Sequence, residues 1–229
     1  MLTGKRVSTV TPERLLGPLN EVERKFAPPF IYVAGGPVWP LPRPRVAIVG
    51  SREASPIGLE TARTIASTLA RSGVLVVSGL AKGIDSAAHA AAIDTGGKTV
   101  AVLGTPLDRS YPAENHELQR TIMRDHWAIS QFASGHSTLP RDFILRNRTM
   151  ALISNASVIV QAGESSGSLS QGWEALRLGR PLYIWKSVME DQSLKWPKEM
   201  VRYGAVKLNN PKAILECLPP SEAVISVTR

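Results

Sequence analysis

Three short segments carry the chemistry of this 229-residue chain: Gly50-Ser51-Arg52, Ser78-Gly79-Leu80-Ala81-Lys82-Gly83-Ile84-Asp85 and Gly163-Glu164-Ser165-Ser166-Gly167-Ser168-Leu169. Each follows a short apolar run and opens a helical pattern. Gly50 permits a tight turn that leaves backbone N–H groups at the next helix free to bind an anion, and Arg52 adds a planar, bidentate donor. In the second segment Lys82 stands between Gly79 and Gly83. In the third, Ser166, Gly167 and Ser168 can cradle phosphate through N–H groups and hydroxyls. Any one of these segments alone is equally consistent with plain turn and capping chemistry. Three on one edge of a sheet specify an anion site. The first turn lacks G-x-G-x-x-G and the chain has no G-x-x-x-x-G-K-[ST], so neither a dinucleotide site nor a P-loop is expected, and no cofactor is implied.

Other polar residues divide less cleanly. Arg146, Asn147 and Arg148 are consecutive, and on a regular helix the two arginines would point about 200° apart. Both could face one ligand only from a turn before the helix; otherwise one is structural. Asp85 and His89, four apart, share a helix stripe, but no third or fourth metal ligand accompanies them. A capping aspartate and a hydrogen-bonded histidine are expected, with no metal site and no catalytic residue. Arg52 could instead form a salt bridge, and Lys82 could be a solvated loop lysine. Trp173 and Trp185 could stack on bases, though core packing is the commoner fate.

The elements that must hold these turns follow from periodicity. Val46–Val49, Val74–Val77, Thr99–Leu103 and Val158–Val160 are continuous apolar runs, with Pro181–Ile184 a further strand and a weaker one near 128–132. Between them lie helical patterns over 56–72, 83–95, 114–125, 142–154 and 168–178. Such strands, each followed by a helix, predict an α/β, doubly wound, mostly parallel sheet of Rossmann-like type, with ligands at the carboxyl ends of the strands. Residues 1–44 read as a lead-in: a helix starting at Thr11-Pro12, a strand over 30–34 and a proline-rich connector. Residues 45–218 form the main domain, and 219–229 a disordered tail.

Net charge is +8, which favours polyanionic partners. One cysteine, Cys217, excludes an internal disulfide framework and fits a reducing compartment. No signal peptide or apolar run of membrane-spanning length is present, so a cytoplasmic protein is expected.

Five motifs in order resemble the DprA/Smf DNA-processing family: Val46–Arg52; Val77–Asp85 with Ala88-His89; Ala101–Gly104 running to Leu107-Asp108, Tyr111-Pro112 and Asn115; Arg146–Arg148; and Ser166–Leu169. The resemblance implies a protein without catalytic turnover that binds single-stranded DNA at the pocket of these turns. It further implies a homodimer that delivers the strand to a RecA-type recombinase in DNA uptake and recombination. Arg52 matches the arginine of the family's G-S-R, and Arg146 and Arg148 its R-N-R; Lys82 falls in a variable slot. On this resemblance the chain corresponds to the Rossmann-like core, without a full N-terminal helical domain or a C-terminal winged helix. Two departures stand out: Ser170-Gln171-Gly172 replaces an apolar-Thr-Ala run, and Ser130-Gln131 replaces Ser-Glu. The alternatives on the same fold are a LOG-like nucleotide phosphoribohydrolase and a nucleotide-sensing domain. For the hydrolase, Gln171 falls where a catalytic glutamate would stand, with Glu174 one turn further along. An apolar segment from Pro181 to Trp185 is the expected dimer contact.

Overall fold

Every residue of Arg45–Val49, Leu75–Ser78, Thr99–Leu103, Trp127–Ser130 and Ala156–Ile159 is buried, and strands with no exposed face need helices on both sides. The computed structural model, which describes residues 7–36 and 40–220, supplies them. Its strands are β1 (Ser8–Val10), β2 (Ile31–Gly35), β3 (Arg45–Val49), β4 (Leu75–Ser78), β5 (Thr99–Leu103), β6 (Trp127–Ser130), β7 (Ala156–Ile159), β8 (Leu182–Trp185) and β9 (Val206–Leu208). They form one sheet in the order β1-β2-β6-β5-β4-β3-β7-β8-β9. From β6 to β9 all neighbours are parallel; β2 pairs antiparallel with β6, and β1 with β2. The mostly parallel α/β sheet expected from the sequence is thus observed.

The helices are α1 (Pro12–Leu16), α2 (Glu21–Phe26), α3 (Pro56–Arg71), α4 (Ile84–Asp94), α5 (His116–Asp125), α6 (Pro140–Ile153), α7 (Ser168–Arg177), α8 (Lys186–Glu190) and α9 (Trp196–Arg202). Strand side chains alternate between two cores. Val46, Ile48, Val76 and Val158 pack with Ile65, Leu69 and Ala88 of α3 and α4. Ala47, Val49, Val77 and Ile159 pack with Met150 and Ile153 of α6 and, across the sheet's outer part, Met200 of α9. Strand residues of period two facing a helix layer on each side are what a doubly wound sheet requires.

Three features depart from expectation. The lead-in contributes β1 as well as the expected strand, β2, and both join the sheet. Beyond Trp185, α8, α9 and β9 add short elements whose apolar patterns are too brief for periodicity to reveal. The run Pro181–Trp185, expected both as a strand and as the contact between two copies, forms the strand β8, which pairs with β7 on one side and β9 on the other. Leu182 and Ile184 are fully buried and so face the core rather than a partner. Its apolar character is explained by the core. Residues 37–39 of the connector and 221–229 of the tail lie outside the described residues. No described helix is long and apolar enough to cross a membrane.

Candidate nucleic-acid interface

From β3 the chain lays β4, β5 and β6 to one side and β7, β8 and β9 to the other, so the direction of winding reverses between β3 and β7. In open α/β sheets the ligand crevice lies outside the carboxyl ends of the strands at such a switch point. A cleft of about 770 Å³ opens there, and it gathers Gly50, Ser51, Arg52, Arg146, Asn147, Ser166, Gly167 and Ser168 from the expected set. The turns after β3 and β7 therefore meet, as their spacing implied. Lys82 and Gly83 line a neighbouring depression, which shares Arg52 with the cleft. Gly79, buried against the Arg146 guanidinium, and Arg148 do not line the cleft.

The second turn is held in place from two sides. Gly83, at φ +81°, brings its Cα against the carbonyls of Ser51 and Arg52, where a β-carbon would collide. Only glycine fits this approach. Ile84 N–H donates to the Ser51 carbonyl at 3.2 Å, pinning the two turns together. A methyl group at Gly79 would occupy the space of the Arg146 guanidinium. Asp85 caps the turn, accepting from Gly79 N–H at 3.1 Å and Ala81 N–H at 3.4 Å.

Arg146 and Arg148 lie inside α6 rather than before it, so they point apart. Arg146 is buried; its Nη1 donates to the carbonyls of Gly79 and Val102, the latter at 3.0 Å. Burial pushes the Asp85 carboxyl up from the usual carboxylate range and lowers Arg146, while their mutual attraction opposes both shifts. Arg146 thus ties β5 and the second turn together and presents only an edge to the cleft. Arg148 donates to Glu174 at 3.2 Å and lies 5.5 Å from the Phe26 ring, away from the cleft. Asn147 donates its amide to the Gly167 carbonyl at 3.0 Å and to Ser170 Oγ at 2.7 Å, which fixes the third turn.

Sequence reasoning missed the cleft's other wall. Tyr111 and Phe143 stand with ring centroids 5.3 Å apart, and the Arg52 guanidinium lies 5.7 Å from the Phe143 ring. Tyr111 is 48% exposed, and Arg109 and Ile144 complete this side. Phe143 lies three residues before Arg146 on α6, a spacing that puts both on neighbouring turns of one face and could have flagged it. Trp173 and Trp185 pack against the cores and do not line the cleft. The start of α6 that carries Phe143 is fixed by Asp142, whose carboxylate accepts from Leu139 N–H at 2.8 Å and His136 Nε2 at 2.7 Å.

His89 is fully buried, with Nδ1 2.6 Å from Thr99 Oγ1. Desolvation lowers its pKa to about 3, so it stays neutral in the folded chain. An unfolded histidine takes up a proton near pH 6.5, and the folded one does not. Its contribution to stability is present above that value and is lost progressively as pH falls toward 3, at about 1.4 kcal/mol per pH unit. Urea unfolding at pH 7 and pH 5 should show a stability difference about 2 kcal/mol smaller in His89→Gln than in the unmodified chain. An equal difference in both would assign the acid sensitivity to other groups. Among the described residues no group of three or more His, Cys, Asp or Glu side chains is placed to hold a metal ion.

Residues 12–219 match the family model of DNA recombination-mediator protein A. The chain belongs to this family. The resemblance to DprA/Smf proteins drawn from five motifs is therefore correct. The DNA processing protein DprA of Streptococcus pneumoniae is 41% identical over 172 residues, 75% of this chain and 61% of that protein. Its X-ray structure superposes with a TM-score of 0.78 at 29% identity, covering 94% of this chain and 75% of that one. The DNA processing protein A of Helicobacter pylori, whose structure concerns its single-stranded DNA binding mode, gives a TM-score of 0.77 at 24% identity over 92% of this chain and 94% of that one; the likeness shows a shared fold. The chain spans 44 to 66% of the length of the curated family members it matches.

Both departures from the family's motifs fall on packed positions. Gln171 is fully buried and donates to Ser157 Oγ at 2.8 Å, facing the sheet. Gln131 accepts from Thr149 Oγ1, and Ser130 Oγ donates to the Thr105 carbonyl at 2.7 Å. Glu174, the other carboxylate weighed for hydrolysis, is engaged by Arg148 and Arg177. Neither Gln171 nor Glu174 lines the cleft.

Proposed function

We propose that this chain binds single-stranded DNA in the cleft between β3 and β7, without catalytic turnover. The observation that carries the reading is the pairing of two walls. On one side Arg52 and the Ser166–Ser168 turn offer charge and hydroxyl donors suited to phosphate; on the other Tyr111 and Phe143 offer ring faces beside Arg52 and Arg109. Cationic grooves with aromatic platforms hold single strands, because unstacked bases expose faces that a duplex keeps internal. A mononucleotide would engage one phosphate and one base, a small part of this surface.

In this reading Gly50, Ser51, Arg52, Ser166, Gly167 and Ser168 meet the strand, whereas Gly79, Arg146 and Asn147 shape the cleft. Arg148 belongs to neither group. Against hydrolysis, the cleft carboxylates are Asp85, committed to the second turn, and Glu53, exposed at the rim. Delivery of the strand to a RecA-type recombinase by a cytoplasmic homodimer is the further step, and its support is membership of a recombination-mediator family.

Fluorescence anisotropy with a labelled oligothymidylate tests the binding. Single-stranded DNA should bind more tightly than duplex of the same length, with AMP a poor competitor. The log–log salt slope should be about −0.7 per phosphate contacted. The same preparation incubated with AMP should release no adenine. Equal affinity for duplex and single strand would count against the reading, and base release lost in Glu53→Gln would replace it with hydrolysis.

A further inference from the structure

Arg52 stands between two depressions. On one side is the cleft; on the other, a groove of about 560 Å³ runs between the start of α3 and α4. Among the described residues, Arg52, Arg63 and Lys82 line this groove against one carboxylate, Glu53, beside Ala87, Ala90 and the apolar Leu59 and Leu118. Lys82 has no ion-pair partner among the described residues. Among the described residues Arg63 has one ion pair, solvent-exposed, with Glu60 at 3.4 Å, an arrangement of little energetic weight. The placement of Lys82 is not accidental to the loop. Gly83 packs on the Ser51 and Arg52 carbonyls, so the turn carrying Lys82 is locked beside the turn carrying Arg52.

We propose that a strand bound in the cleft continues over Arg52 into the α3–α4 groove, where Lys82 and Arg63 hold the phosphates of a second segment. This rests on the reading of the cleft as a single-strand site and extends it. The groove is open, and its cations sit on exposed side chains, so an isolated phosphate would bind there weakly. A segment tethered to one already held in the cleft arrives at high effective concentration, and two solvent-facing cations then suffice. The groove therefore acts only on strands long enough to leave the cleft.

The test compares oligothymidylates of two lengths, four and twenty nucleotides, on the full chain and on Lys82→Glu/Arg63→Glu, using competition against a labelled strand. For the longer strand the variant should lose about tenfold or more, and its salt slope should become shallower by about 1.4 for the two contacts removed. For the shorter strand affinity should change less than about twofold. The neutral Lys82→Gln/Arg63→Gln pair should fall between on the longer strand and match on the shorter. Thermal melting of each variant confirms that the fold is intact. An equal loss at both lengths, or no loss at twenty nucleotides, overturns the proposal while leaving the cleft reading in place. Failure of the unmodified chain to bind either length overturns both.

Discussion

Arg146→Met is expected to lower the unfolding free energy by about 3–5 kcal/mol, because it leaves two buried carbonyls without their donor and removes the positive charge that favours the buried Asp85 carboxylate. Methionine fills much of the same volume, so the loss is not chiefly one of packing. What disappears is the guanidinium that donates to the Gly79 and Val102 carbonyls and faces Asp85 across the second turn. Burial already raises the Asp85 pKa; without Arg146 it rises further. A carboxyl whose folded pKa exceeds its unfolded value is destabilising above that range and is relieved by protonation as pH falls. The gap between Arg146→Met and the unmodified chain should therefore narrow from pH 7 toward pH 5. Asp85→Asn keeps an acceptor for Gly79 and Ala81 but removes the charge. In the double variant Arg146→Met/Asp85→Asn the loss should be smaller than the sum of the single losses, by about 1 kcal/mol or more. Urea unfolding of the four proteins measures this. Strict additivity would mean that Asp85 and Arg146 contribute to the second turn independently.

The result also bears on what could be read from the residues alone. Arg146 stood in the sequence as a ligand-binding candidate, and its role in the scaffold depends on three partners: Gly79, Asp85 and Val102. Of these, Val102 lies 44 residues away, and no local pattern announces the contact. The fold was far more legible. Strands such as Val46–Val49 and Val158–Val160 are apolar on both faces, and that burial pattern has few architectural solutions. Their order then puts the turns at Gly50 and Gly163 on one edge. The short elements were less legible: β1 and β9 have three residues each, too few for a period to show. Pro181–Trp185 was legible as a strand, but not which surfaces its apolar side chains would cover. An apolar strand suits the edge where two copies meet as well as the inside of a sheet, and its pairing with both β7 and β9 places it inside. Tyr111 and Phe143 escaped because an aromatic residue carries no mark of exposure in its type. They are 32 residues apart, and the fold brings their rings together.

That aromatic wall gains its meaning from Arg52, and Arg52→Glu is the measurement that tests the cleft most directly. The guanidinium is exposed, stands 5.7 Å from the Phe143 ring, and has no ion-pair partner among the described residues. A charge-assisted contact of this kind is worth about 1.5–3 kcal/mol, and placing a carboxylate against the same phosphate adds repulsion. The combined loss should exceed about tenfold in affinity for single-stranded DNA. Stability should change by no more than about 0.5 kcal/mol, as for other surface substitutions. Removing the positive charge of Arg52 also removes its repulsion of the buried Arg146, so no loss of stability is expected from that side. Melting and strand affinity measured on one preparation separate the outcomes. An unchanged melting temperature with affinity lost by more than about tenfold is expected. Unchanged affinity in a folded Arg52→Glu protein would contradict this and move the binding site away from this cleft.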